Sequence, residues 1–325
     1  VQEEVGEGIR RGRVPKKLFL VQPMMIRVCY GLMPCIMASV YFFGLRSLVL
    51  IALVLFFGIA TEGAFALRQG RPISSAVFVS CFILVLSLPP TVPFWIAVIG
   101  IVFGIVFGKM VFGGFGHNVF NPAMVGRCFI YIAFPIAMTN RWVEPVGGKY
   151  GGLSTWFPPV DALTTATPLR VLREGMDFPL TKLFMGNISG SLGETCAWLI
   201  LLGGIYIIIK KSAPWRLAVS CLFGGISLSF VLRYAGISLV PGPLASLLSG
   251  SFLFGTFFVV TEPISGPKTK AAQWFYGFII GGFTIILRRY SNFSEGIMFA
   301  VLFMNMFVPV MDMAVKEWKG RGKRV

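Results

Sequence analysis

Apolar positions in this chain come in long blocks, not with the short period of strands or half-buried helices. Ten blocks stand out, near 24–44, 47–67, 74–88, 94–112, 120–138, 191–209, 217–234, 244–261, 274–288 and 296–314. A helix apolar on every side is buried in protein or in lipid, and about 20 such residues cross a bilayer. The pattern predicts an all-α polytopic membrane protein with about ten transmembrane helices, of which the third and ninth are short.

The polar remainder sets the organisation. Residues 139–190 form a Gly- and Pro-rich segment much longer than the other connections. It divides a first membrane half, 24–138, from a second, 191–314, with an arm at 1–23 and a basic tail at 315–325. Five helices per half reverse the starting side of the second half, which is the condition for an inverted repeat. Basic residues cluster in the arm, at Arg68/Arg71, at Lys210/Lys211/Arg216, at Lys268/Lys270 and in the tail. The positive-inside rule then puts both termini in the cytoplasm and 139–190 on the other side of the membrane. Arg288 and Arg289 break the rule, falling at an outer end.

Composition supports lipid as the solvent. Hydrophobic residues make up 56% of the 325 and charged residues 13%, about half the charged share of a soluble domain; the mean hydropathy is +0.80. The net charge of +16 does not indicate nucleic acid, because the cations are spread over span ends instead of forming one basic, aromatic-laced patch. The first 22 residues are polar and basic and do not read as a cleavable signal. Cys29, Cys35, Cys81, Cys128, Cys196 and Cys221 form no C-x-x-C pair. They read as apolar packing residues, with a cluster shared between chains as the other use.

Three features carry candidate chemistry. Phe112–Ala123 holds Gly113, Gly114 and Gly116, then Asn118 and Asn121 before Pro122. It reads either as a tight turn or as a backbone that approaches a ligand closely, with amide groups to recognise it. Asp161-Ala162-Leu163-Thr164-Thr165-Ala166-Thr167-Pro168 reads as an Asp/Thr turn, with Pro168 pushing Thr167 to an extended conformation. Acids within or at the ends of spans are Glu62, Glu194, Glu262, Glu295 and Asp312. An intramembrane charge points to an ion path or to a buried pair. His117 is the only histidine and reads as a loop residue.

At these motifs the chain resembles the membrane subunits shared by the sodium-translocating NADH:quinone oxidoreductase (its B subunit) and the Rnf ferredoxin:NAD oxidoreductase (its D subunit). Phe112–Ala123, Gly190–Thr195, Thr261–Thr269 and Glu295–Asn305 carry the resemblance in the same order, over nearly the whole chain. It implies FMN joined to a threonine by a phosphoester, added by a flavin transferase outside the cytoplasmic membrane. Asp161, Thr164, Ala166 and Thr167 match the attachment pattern, with Thr165 where Gly is common, so Thr167 is the implied carrier. The chain's length and Thr167-Pro168-Leu169 look more like the Rnf version than the quinone-reductase version.

The resemblance further implies electron relay between ferredoxin and NAD coupled to Na⁺ or H⁺ pumping, and an unattached riboflavin as a second flavin. Partners would be iron–sulfur subunits and a second FMN-carrying subunit, because this chain has no nicotinamide fingerprint and no ferredoxin-like cysteine run. Glu62, Glu194 and Glu262 are the candidate ion ligands, and Gly113–Asn121 the candidate second flavin pocket. The rival reading is a small-solute channel or transporter, which shares inverted five-helix halves but has no use for the Asp161–Thr167 motif.

Overall fold

In a solvent without water the backbone must bond to itself, and helices do so within one segment. The computed structural model describes residues 18–139, 142–147, 151–156, 167–237, 240–291 and 296–321. Asp161, Thr164, Ala166 and Glu295 lie outside them. The first half holds α1 (Pro23–Phe43), α2 (Leu45–Arg68), α3 (Ala76–Leu86), α4 (Phe94–Ile105), α5 (Pro122–Ala133) and the short α6 (Pro135–Thr139). The long polar segment contributes α7 (Pro168–Arg173) and α8 (Leu180–Met185). The second half holds α9 (Ala197–Ile209), α10 (Trp215–Tyr234), α11 (Pro243–Leu248), α12 (Phe252–Phe254), α13 (Lys270–Tyr290) and α14 (Gly296–Arg321). Among the described residues α1, α2, α10, α13 and α14 are long and apolar enough to cross a membrane. The chain is a multi-pass membrane protein.

Each predicted block contains helix, but four differ from expectation. The ninth is not short: α13 runs 21 residues, because helix continues through Lys270 and Gln273 and out to the arginines. The sixth starts late. Residues 191–196 are not helical, because Leu192 and Gly193 N–H groups bond the carbonyls of Leu88 (3.0 Å) and Leu86 (2.7 Å). They serve the end of α3, whose last carbonyls have no helical partner. The eighth is broken between α11 and α12, and the fifth at Pro135. The expected basic tail from 315 begins as the last turns of α14. A two-residue parallel pair, β1 (Phe19–Leu20) with β2 (Ile73–Ser74), was not foreseen.

Glycines set the helix contacts. A Cβ on Gly203 of α9 would lie 2.0 Å from the Gly31 carbonyl of α1. One on Gly126 of α5 would lie 2.2 Å from the Gly100 carbonyl of α4, and one on Gly281 of α13 2.0 Å from the Cys221 carbonyl of α10. Backbones touch at these points, as small residues allow in lipid.

The basic loops gather at one end of the molecule. Arg27 of α1 donates to the Lys210 carbonyl after α9 (3.0 Å), and Arg71 to the Gly113 carbonyl (2.9 Å). Asp312 accepts the Lys268 and Thr269 N–H groups ahead of α13 (both 2.9 Å). At the other end Leu45 and Arg46 N–H groups bond the Thr155 and Trp156 carbonyls, and Arg46 donates to the Pro90 and Val92 carbonyls. The described parts of 142–196 belong to that second end.

Gly→Ala in a helix interior normally stabilises by about 1 kcal/mol. Gly126→Ala is expected to reverse the sign and cost about 1–3 kcal/mol from overpacking. Gly282→Ala, whose Cβ would meet nothing closer than 3.6 Å, is expected to keep that gain of about 1 kcal/mol. Thermal unfolding of the two variants in detergent checks the contrast.

Candidate functional site

Two clusters of buried polar groups occupy the two ends. At the basic end, α4 does not stop at Ile105 but widens into a π turn, Val106–Met110. The extra residue in that turn accompanies the placement of Lys109 against α2. Lys109 Nζ lies 2.6 Å from Glu62 Oε2, and both residues are 2% exposed. Glu62 Oε1 accepts the Ser74 N–H of β2 at 3.0 Å. Both carboxylate oxygens therefore have partners.

Beside this pair stands the glycine turn. Gly113, Gly114 and Gly116 take φ of +104°, +92° and +88°, values that favour glycine. Asn121 caps α5, its Oδ1 accepting Ala123 and Met124 N–H groups at 3.0 and 3.2 Å. Asn118 is buried and its amide donates to the Phe120 carbonyl (3.2 Å). His117 is exposed, as expected of a loop residue. Glu262 follows a second π turn, Gly255–Val259; Ser265 Oγ donates to its Oε2 at 2.6 Å, and Asn121 and Lys109 are neighbours. Tyr276 donates to Asn305 at 2.5 Å in the same region. Glu62, Asn121 and Glu262, far apart in sequence, thus share one polar region.

The second cluster forms at the opposite end. Arg127, six residues after Asn121 and about 9 Å along α5, faces Glu194 across 3.7 Å, both side chains almost fully buried. Arg288 of α13 is Glu194's other cationic neighbour. Thr167 is half-buried with φ −64° and ψ 149°, the extended conformation expected before Pro168. Its Oγ1 accepts the Arg170 N–H at 3.4 Å, capping α7. Thr167 and Glu194 line one cavity of about 20 Å³ with Trp142, Ser189 and Gly250. Helix α7 is held by buried Leu169 and Leu172, and beneath its other end lies a cavity of about 650 Å³ lined by Leu172, Phe178, Arg233 and Leu244.

Sequence reasoning found the acids and missed their partners. Lys109 and Arg127 each interrupt an apolar block, and a lone cation there is as informative as a lone acid. Asp312 holds the start of α13 through Thr269 Oγ1 (2.8 Å) and two N–H groups. The six cysteines are free, five of them buried. No group of three His, Cys, Asp or Glu side chains suits a metal among the described residues.

Removing one member of a buried pair strands the other charge, at about 3–5 kcal/mol. Lys109→Met is expected to lower unfolding stability by that order, and Lys109→Met/Glu62→Gln to recover most of it. Additive losses in the double variant would show that the two side chains do not act as a pair.

Comparison with known proteins covers the same ground as these clusters. A sequence profile described as the NQR2, RnfD, RnfE family matches residues 16–319. The D subunit of the ion-translocating oxidoreductase complex of Stutzerimonas stutzeri is 33% identical over 318 residues, 90% of each chain. The D subunit of the same complex from Vibrio cholerae is 31% identical over 315 residues, 87% of this chain and 90% of its own. The B subunit of the Na(+)-translocating NADH-quinone reductase of Pseudoalteromonas atlantica is 35% identical over 261 residues, covering 79% of this chain and 63% of that longer protein. With both halves and both clusters inside the matched region, the chain belongs to the NQR2, RnfD, RnfE family.

Proposed function

We propose that this chain is the membrane subunit of an ion-translocating oxidoreductase complex that carries FMN on Thr167. The carrying observation is Thr167 itself: its hydroxyl sits at a helix start, half-buried, at the edge of a cavity. An ester at Oγ1 keeps an acceptor lone pair for the Arg170 N–H, so attachment need not cost the cap. The small cavity admits only one or two water-sized atoms. The cavity of about 650 Å³ at the far end of α7 has the size of a ligand pocket and leaves room for a ring system. FMN, when bound, would supply the electron-carrying chemistry; the protein's part is to hold and tune it.

The D-type chain is the better match in length, since the D relative and this chain cover each other to 90% and the B relative is matched over 63% of its length. Ten spans in two inverted five-helix halves, with both termini cytoplasmic and Thr167 outside, remain our reading of the topology. Its support is that α1 packs on α9, that α2 packs on α3 and α4 as α10 does on α11 and α13, and that α4 packs on α5 as α13 does on α14. Electron relay between ferredoxin and NAD would need partner subunits bearing iron–sulfur centres and a second FMN.

Among the three acids proposed for the ion path, Glu262 is the strongest. Glu62 is neutralised by Lys109 and Glu194 faces Arg127, whereas Glu262 has no salt bridge among the described residues. Hard cations take oxygen ligands, and Glu262 with Ser265 offers them. Glu262→Gln is expected to cut Na⁺- or H⁺-uptake per electron, measured in vesicles. Unchanged uptake would remove Glu262 from the path. For riboflavin at the Gly113–Asn121 turn, Asn118→Ala is the clean variant, because Asn121→Ala also loses a cap of about 1 kcal/mol. Noncovalent flavin content of the purified complex should fall in Asn118→Ala.

The attachment is tested by coexpressing the complex with a flavin transferase and viewing a denaturing gel under ultraviolet light. A fluorescent band near 35.7 kDa, lost in Thr167→Ala, is expected. A dark wild-type band, with the transferase active on a known target, overturns the reading.

A further inference from the structure

Arg288 and Arg289 close α13 at the Thr167 end, against the charge asymmetry of the other loops. Arg288 is 5% exposed. Its Nη1 donates to the Ser246 carbonyl at 2.7 Å and its Nη2 to the Ser249 carbonyl at 3.0 Å. Its Nε is buried and has no acceptor among the described residues, and the same is true of the Nε of half-buried Arg289. Arg173 of α7 reaches the same place, with Nη2 donating to the Ser291 carbonyl at 2.8 Å. The three guanidinium groups line one cavity of about 20 Å³, walled by Leu169, Val240 and Ile285, and among the described residues no carboxylate lines it. The acid within electrostatic reach of Arg288 is Glu194, which already faces Arg127.

We propose that Arg173, Arg288 and Arg289 form a binding site for a phosphate group. Two buried N–H donors without acceptors, each worth about 1–3 kcal/mol if left unmet, point to a missing acceptor. Three cations around a cavity that no carboxylate lines among the described residues favour an anion as that acceptor. Guanidinium forks match phosphate oxygens in pairs. A space of one or two water-sized atoms takes the unesterified oxygens of a phosphodiester and leaves the ester groups outside. Tyr290, 63% exposed beside Arg289, is an aromatic at the end of a spanning helix, the depth at which headgroups lie. Attraction of arginines to the end of their own helix does not explain why Arg288 reaches carbonyls of α11 and its cap. The phosphate belongs to an anionic phospholipid or is free in solution. The site stands independently of the flavin, although Leu169 walls both this cavity and the one at Thr167.

The test uses the intact complex, stripped of lipid in detergent. Thermal unfolding is followed with added phosphatidylglycerol, phosphatidylcholine or inorganic phosphate, and retained lipid is read by native mass spectrometry. Phosphatidylglycerol is expected to raise the midpoint in wild type and in Thr167→Ala, with phosphatidylcholine inert. Half-exposed Arg173 and Arg289 allow variants that spare the buried Arg288. Arg289→Gln and Arg173→Gln are each expected to weaken the phosphatidylglycerol effect about ten-fold. Equal protection by inorganic phosphate assigns the site to free phosphate. Protection absent in wild type, or undiminished in both variants, overturns the proposal. So does protection emerging only in Glu295→Gln, which would give the cavity to that carboxylate.

Discussion

Two helices in lipid gain little by pressing leucine against leucine, because the tails they displace are just as apolar. What remains is close backbone approach, and the contacts at Gly31/Gly203, Gly100/Gly126 and Cys221/Gly281 supply it. Helices held at that spacing leave no slack for a solvated charge. Glu62, Glu194, Lys109 and Arg127 can therefore exist inside only as neighbours of one another, and the positions of both polar clusters follow from the glycine contacts around them.

The clusters sit where regular helix gives out. Two π turns precede the Gly113–Asn121 turn and the Thr261–Pro267 loop, and the non-helical turn 191–196 carries Glu194. Irregular backbone at membrane depth is tolerated when protein encloses it. Here the freed groups are used: the carbonyls of Leu86, at the end of α3, and of Leu88, just past it, accept from Gly193 and Leu192, and α5 receives its cap from Asn121. Helix α5 connects the two regions, with Asn121 beside Glu262 and Arg127 facing Glu194.

Much of this was legible from the sequence and some could not be. All-round apolarity located each helical block, and the lone acids marked both clusters. The extended Thr167 followed from Pro168 alone. The partners did not follow, because Glu62 and Lys109 are 47 residues apart and no local pattern couples them. The block at 191–209 also starts six residues before its helix, because Leu192 and Gly193 donate to the carbonyls at the end of α3 instead of joining α9. The π turns left no trace, since Val106-Phe107-Gly108-Lys109-Met110 suits an α-helix equally well.

The π turn before the glycine loop makes the Glu62–Lys109 contact a matter of counting as well as chemistry. An α-helix advances about 100° per residue, so removing one residue from Val106–Met110 would restore the regular period and swing the ammonium group away from its carboxylate. Every ionisable side chain would still be present in such a protein, and its interior would nonetheless hold two isolated charges. In this family, a gap of one position in an alignment across this turn carries more physical weight than many substitutions.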